Sequence, residues 1–169
     1  MKLSFRRLIT TVAVVAATVV SFAATSASAA TPPTPGTYRL YSSYHQQCLG
    51  GMSNNAVSLT QCQVSFGDQV WIMEPVAAAG YYRFRNQLRN TCLAFPSGAN
   101  GSEARISTCV DTFEDQWWTF LNTIPASDAL LLRNYHTTKC LVDRKPSAHA
   151  TESDCVLNFA DQWWTFFAA

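Results

Sequence analysis

Asp68, Asp115 and Asp161 stand in one recurring hexapeptide, F-x-D-Q-x-W, at Phe66–Trp71, Phe113–Trp118 and Phe159–Trp164. Each copy holds a carboxylate, an amide and an aromatic ring. An ionised Asp only accepts hydrogen bonds, an amide both donates and accepts, and an indole offers a large apolar face and one N–H donor. That set suits non-covalent recognition. It does not suit acid–base catalysis, which needs two carboxyls in different environments, because three copies of one motif supply like environments. No G-x-S-x-G, H-E-x-x-H or glycine-rich phosphate loop occurs. His45 and His136 lie just before Cys48 and Cys140 and read as exposed turn residues. The six cysteines form no C-x-x-C pair and the histidines no cluster, so neither metal nor cofactor is expected and no catalytic residue is assigned.

The motif repeats with Trp-to-Trp spacings of 47 and 46, which makes the repeat the unit of architecture. Each copy carries a cysteine nine residues before its last Trp (Cys62, Cys109, Cys155) and another upstream (Cys48, Cys92, Cys140). With one upstream and one downstream Cys per copy, the expected disulfides are Cys48–Cys62, Cys92–Cys109 and Cys140–Cys155. Period-two alternation at Tyr38–Tyr41, Ala56–Leu59, Tyr82–Arg85, Ala104–Ser107 and Trp118–Phe120 predicts half-buried antiparallel strands. Gly50-Gly51 with Asn54-Asn55, Pro96-Ser97-Gly98 and Lys145-Pro146-Ser147 supply turns. The fold class is all-β, a closed arrangement with pseudo-threefold symmetry. In the Q-x-W strands, Trp71, Trp118 and Trp164 are expected to face inward with Met73, Phe120 and Phe166. Gln69, Gln116 and Gln162 are expected to hold their turns through backbone partners. The three aspartates are expected to cap those turns through backbone N–H groups.

Residues 1–29 read as a secretory signal peptide: Lys2, Arg6 and Arg7, then an apolar stretch, then Ala27-Ser28-Ala29. Residues 30–36 form a Pro-rich spacer and 37–169 one domain, with repeats at about 37–75, 76–122 and 123–167. Cleavage removes three basic residues and no acids, taking the formal charge from +1 to −2. No basic block remains, so nucleic acid is not an expected partner, and membrane insertion is not expected either. A secreted, extracellular monomer is the expectation.

Three Q-x-W repeats, each with its own Cys pair, resemble the ricin-type β-trefoil lectins and the related carbohydrate-binding modules of bacterial glycosidases. The resemblance covers about residues 37–167. It implies twelve strands, six in a barrel and six capping it, with up to three sugar sites. In that family a working site has an Asp two residues after the first Cys, an aromatic two before the second Cys, and an Asn before the Q-x-W Gln. This chain has Gly50, Ala94 and Val142 at the first position, Thr60, Ser107 and Ser153 at the second, and Asp68, Asp115 and Asp161 at the third. The scaffold is present and the usual site is absent from all three copies. Asp143 falls one residue past the expected place, which in a strand puts it on the opposite face.

Two departures from symmetry suggest where contacts lie instead. The variable letter of Q-x-W is Val70, Trp117 and Trp163. Alternation would send Trp117 and Trp163 outward, as stacking platforms for sugar rings or anchors for a partner, unless neighbouring loops cover them. Where the first two copies have Leu59 and Ile106, the third has Glu152. Either the third repeat carries a rearranged polar face, or Glu152 lies in an exposed loop paired with Lys139, Arg144 or Lys145. The leading function is non-catalytic carbohydrate recognition. The alternatives are a protein-binding trefoil (toxin-complex subunit or protease inhibitor) bound to a secreted protein, and a detached glycosidase module.

Overall fold

The computed structural model describes residues 31–121, 128–144 and 149–169; the signal-peptide reading and the Lys145-Pro146-Ser147 turn lie outside them. Each repeat contributes four strands. The first has β1 (Gly36–Ser42), β2 (Gln47–Gly51), β3 (Val57–Thr60) and β4 (Trp71–Pro75). The second has β5 (Tyr82–Asn86), β6 (Thr91–Ala94), β7 (Arg105–Thr108) and β8 (Trp118–Leu121). The third has β9 (Ala129–Asn134), β10 (Cys140–Val142), β11 (Thr151–Ser153) and β12 (Trp163–Ala168). Strands β1, β4, β5, β8, β9 and β12 pair antiparallel around a closed ring, leaving that barrel no free edge. The hairpins β2–β3, β6–β7 and β10–β11 cap it and meet one another: Ile106 N–H donates to Asn55 O, Ala150 N–H to Val57 O and Ala104 N–H to Ala150 O. This is a β-trefoil.

The Q-x-W strand joins barrel to cap. Trp71, Trp118 and Trp164 are fully buried, and their indole N–H groups donate to Leu49 O, Leu93 O and Leu141 O at 2.9, 3.0 and 3.0 Å. Each acceptor belongs to the cap hairpin of its own repeat, so one side chain fills the core and pins that hairpin. Phe84, Phe120 and Phe166 pack ring against ring at 5.4 to 6.4 Å, with Met73 buried in the same cluster.

The glutamines are also fully buried. Gln69 Nε2 donates to Thr60 Oγ1 and Gln61 O, and its Oε1 accepts from Gln63 N–H, all at 2.8 Å. Gln116 repeats the pattern on Ser107 Oγ, Thr108 O and Val110 N–H. Gln162 binds Asp154 O and Val156 N–H. Every clasp encloses the second cysteine of its repeat. The three disulfides join Cys48–Cys62, Cys92–Cys109 and Cys140–Cys155, each with Cα atoms 5.0 Å apart. Each closes a loop worth about 3 kcal/mol in the chain-entropy account.

Between clasp and strand lies a one-turn 3-10 segment, Gly67–Gln69, Glu114–Gln116 or Ala160–Gln162, and no side chain caps it. The capping by aspartate that the sequence suggests is not the common device of these turns: the Asp161 carboxylate binds Arg144 instead, and the Asp115 carboxyl meets its own backbone N–H. The backbone carbonyls of these residues are what the fold uses. Asn86 Nδ2 donates to Asp68 O at 2.6 Å and Asn134 Nδ2 to Asp115 O at 2.7 Å, each tying one repeat to the one before it.

Replacing Gln116 with Leu strands the Val110 N–H and the Thr108 carbonyl. We expect a loss of about 2–4 kcal/mol in urea unfolding, with the disulfide still formed. A change under 0.5 kcal/mol would remove the clasp from the account.

Candidate functional site

The 3-10 turn sorts the motif's side chains. Its Gln and final Trp go inward, while its Phe comes to the surface. Phe66, Phe113 and Phe159 are 48%, 51% and 47% exposed. Sequence reasoning passed over these three residues. The available signal was an aromatic repeated at a symmetric position that the core did not need.

Each Phe stands beside the Asp of its motif, the residue four past the first Cys, and a residue from the next repeat's turn. In the second repeat, Phe113, Asp115, Pro96 and His136 line a cleft of about 340 Å³. In the third, Phe159, Asp161, Arg144 and Tyr44 line one of about 290 Å³. The first repeat has Phe66, Asp68 and Met52 at the corresponding positions of the sequence, with Met52 and Asp68 both close to Gly50 and Leu88 against Gly67. Burial lifts the Asp115 carboxyl above the ordinary Asp range, and the neighbouring His136 charge opposes that rise.

The positions that hold sugar in the resembling family are filled from within. Arg144 Nη2 donates to Ser153 Oγ at 2.9 Å and Arg144 Nε to Asp161 Oδ2 at 3.0 Å, spanning two of the three. In the first repeat a Cβ on Gly50 would lie 2.8 Å from Met52 Cε and 3.3 Å from Asp68 Oδ2. Thr60 and Ser107 hydroxyls are taken by Gln69 and Gln116.

Asp143 is fully buried. Its Oδ1 lies 2.8 Å from His45 Nδ1 and its N–H donates to Asp161 O at 2.7 Å. It is thus a seam between the third and first repeats and offers no carboxylate to solvent. Asn86 and Asn134 tie the other two seams; the equivalent residue here is Ser42, too short for that reach. The histidines are not equivalent to each other, as their distances to Cys48 and Cys140 differ by one residue. His136 faces solvent; His45 is largely covered.

Trp163 is corrected from outward platform to buried residue, at 6% exposure. It packs with Ala129, Leu131 and Cys140, and its Nε1 donates to Leu157 O at 3.1 Å. Alternation does turn it away from Trp164, but the loop carrying the second Cys covers that face. Trp117 is half-buried, with its ring 5.5 Å from that of Tyr135, which meets Tyr81 edge-on at 4.9 Å.

These observations agree with the comparisons to known proteins. Residues 36–164 match the family described as "Ricin-type beta-trefoil lectin domain". The chain belongs to this family. No curated protein matches the chain. Among solved structures, the designed threefold-symmetric protein ThreeFoil superposes with a TM-score of 0.68 at 15% identity, over 79% of this chain and 99% of that one. The Polyporus squamosus lectin, solved with a Neu5Aca2-6Galb1-4GlcNAc epitope, gives 0.68 at 20% identity over 80% of this chain and 50% of that one. The Haemophilus ducreyi cytolethal distending toxin gives 0.63 at 20% identity over 79% and 87%. At such identities these likenesses concern the fold alone.

Among the described residues no group of three or more His, Cys, Asp or Glu could hold a metal ion, and no helix is long and apolar enough to cross a membrane.

Glu152 is a further correction. It does not lie in an exposed loop. It is fully buried opposite Leu141, and neither carboxylate oxygen accepts a well-formed hydrogen bond. Lys139 pairs with Asp154 instead, and Arg144 with Asp161. Burial raises the Glu152 pKa; the Thr137 hydroxyl and the Lys139 and His136 charges hold the rise back. A carboxyl whose pKa is raised on folding stabilises least when ionised, so its contribution is lost as pH rises through the folded value. Glu152→Leu should therefore gain about 1–3 kcal/mol at neutral pH. The gain should shrink towards acid and level off below the ordinary value of 4.5. A difference independent of pH between 4 and 8 in urea unfolding would contradict a Glu152 whose pKa burial raises.

Proposed function

We propose that the protein is a secreted, non-catalytic carbohydrate-binding protein that recognises polysaccharide or cell-surface glycan. The observation that carries this reading is the threefold set of exposed phenylalanines, each beside an aspartate. A sugar ring presents an apolar C–H face to an aromatic ring, and its hydroxyls meet a carboxylate acceptor at Asp115 and the Arg144–Asp161 pair in the third repeat. The clefts are shallow, so each site is weak, and a repeating polymer that reaches two or three of them gains avidity. Tyr44 gives the third cleft a second aromatic wall, while Met52 and Leu88 at the corresponding positions make the first repeat's surface more apolar.

A second reading is a protein-binding trefoil, a toxin-complex subunit or protease inhibitor. The exposed apolar side chains Val64 and Phe66 of the first repeat, with Leu88 of the second repeat's turn against Gly67, favour it.

A glycan array and polysaccharide pull-down separate the two. For the lectin reading we expect binding that free sugar competes away. Phe66→Ser, Phe113→Ser and Phe159→Ser together should weaken it at least tenfold with little effect on unfolding, because these rings lie outside the core. A blank array with a secreted protein recovered in pull-downs would replace this reading with the second.

A further inference from the structure

The first repeat differs from the others at Val70, and a cavity opens there. In the third repeat Trp163 lies opposite Leu131 and donates to Leu157 O. The equivalent residues of the first repeat are Val70, Arg39 and Val64. Arg39 Nη2 donates to Val64 O at 2.7 Å, so the guanidinium binds the carbonyl that takes an indole N–H in the third repeat. Valine fills much less space than tryptophan. A cavity of about 480 Å³ remains, whose lining includes Arg39, Val64, Val70, Ile72, Gln87 and Ala169. That volume is in the range of small-molecule sites.

Among the described residues no carboxylate lies within ion-pair distance of Arg39. Its counterpart in the second repeat, Arg83, bonds Glu74 at 3.1 Å and Asp111 at 2.6 Å. Arg39 forms no ion pair among the described residues, and its Nε–H is buried without a partner. Asp111 of the second repeat is replaced here by Val64. A half-buried guanidinium without a carboxylate is a costly arrangement, and a planar carboxylate matches its donor fork. Beside it, Phe167 is the cross-strand partner of Arg39, exposed, with Tyr41 against its ring at 5.6 Å.

We infer that this cavity is a fourth binding site, outside the threefold set, for the carboxylate-bearing sugar of an acidic glycan. The carboxylate pairs with Arg39, and the sugar's apolar face rests on Phe167. The inference rests on the carbohydrate-binding reading and adds to it a ligand class and a place.

The other repeats supply the control substitutions. Val70→Trp places in the cavity the residue that the second and third repeats carry, and Val70→Trp with Arg39→Leu rebuilds the third repeat's packing. Binding of glucuronic acid, N-acetylneuraminic acid, galactose and acetate is measured by NMR titration on the full chain, with arrays of neutral, uronate-bearing, sialylated and sulfated glycans alongside. We expect one or both acidic sugars to bind more tightly than galactose or acetate; which of the two binds identifies the source. Val70→Trp, Arg39→Leu and the double variant should each lose that binding at least tenfold while keeping the melting temperature and neutral-glycan binding. If a single variant fails to fold, the double variant decides. Acidic-sugar binding unchanged in the double variant overturns the site. Neutral glycans bound with no preference for acidic ones overturn it too and leave the carbohydrate reading standing. No glycan bound at all overturns both. Acetate bound as well as the acidic sugars overturns the assignment to sugar.

Discussion

A fully buried primary amide must find its partners inside the protein, and that requirement organises this molecule. Gln69, Gln116 and Gln162 each meet it by binding the backbone on both sides of their repeat's second cysteine. The clasp fixes the loop that the disulfide also closes. It sets the 3-10 turn at the head of the barrel strand, two residues before the Trp whose indole pins the cap hairpin. Core, staple and turn are thereby parts of one hydrogen-bonded unit, copied three times. The Phe of the same hexapeptide is displaced outward by that geometry, while the Asp stays half-buried and in the third repeat pairs with Arg144.

Symmetry holds where the clasp acts and fails where neighbouring repeats meet. Two seams are tied by Asn86 and Asn134 reaching back to a preceding carbonyl. The third, between last repeat and first, has Ser42 there and is closed by the buried His45–Asp143 pair. The third repeat spends its Ser153 hydroxyl on Arg144, so Gln162 keeps the backbone bonds of the clasp alone. Glu152 stands where the other repeats carry core aliphatics, an ionisable group whose burial Thr137, Lys139 and His136 offset only in part. Such local differences give three similar folds three different surfaces.

The trefoil was legible because its signals are local and repeated: the Q-x-W spacing, the paired cysteines and period-two alternation. The strands, disulfides and inward tryptophans lie where those signals put them. The surface was less legible, for identifiable reasons. Alternation tells which side of a strand Trp163 occupies and not whether a loop covers that side; Leu157 and Cys155 do. The fate of Glu152 depended on cross-repeat packing with the second repeat's loop, where its N–H donates to Ser102 O. A pair such as Arg144 and Ser153 is set by loop conformation, which no periodicity encodes. Phe66, Phe113 and Phe159 were visible as letters, but only the 3-10 turn shows that they face solvent.

The proposed function rests on a division of labour within one hexapeptide: Gln and Trp fold the protein, which leaves Phe, beside the half-buried Asp, as the part proposed to meet the ligand. A ¹⁵N-resolved NMR titration with the best-binding neutral oligosaccharide tests it directly. The backbone amides of residues 66–68, 113–115 and 159–161 should shift. The indole signals of Trp71, Trp118 and Trp164 and the side-chain amides of Gln69, Gln116 and Gln162 should stay in place. Shifts centred on Thr60, Ser107, Ser153 and the three glutamine amides, with the phenylalanine segments unmoved, would contradict it.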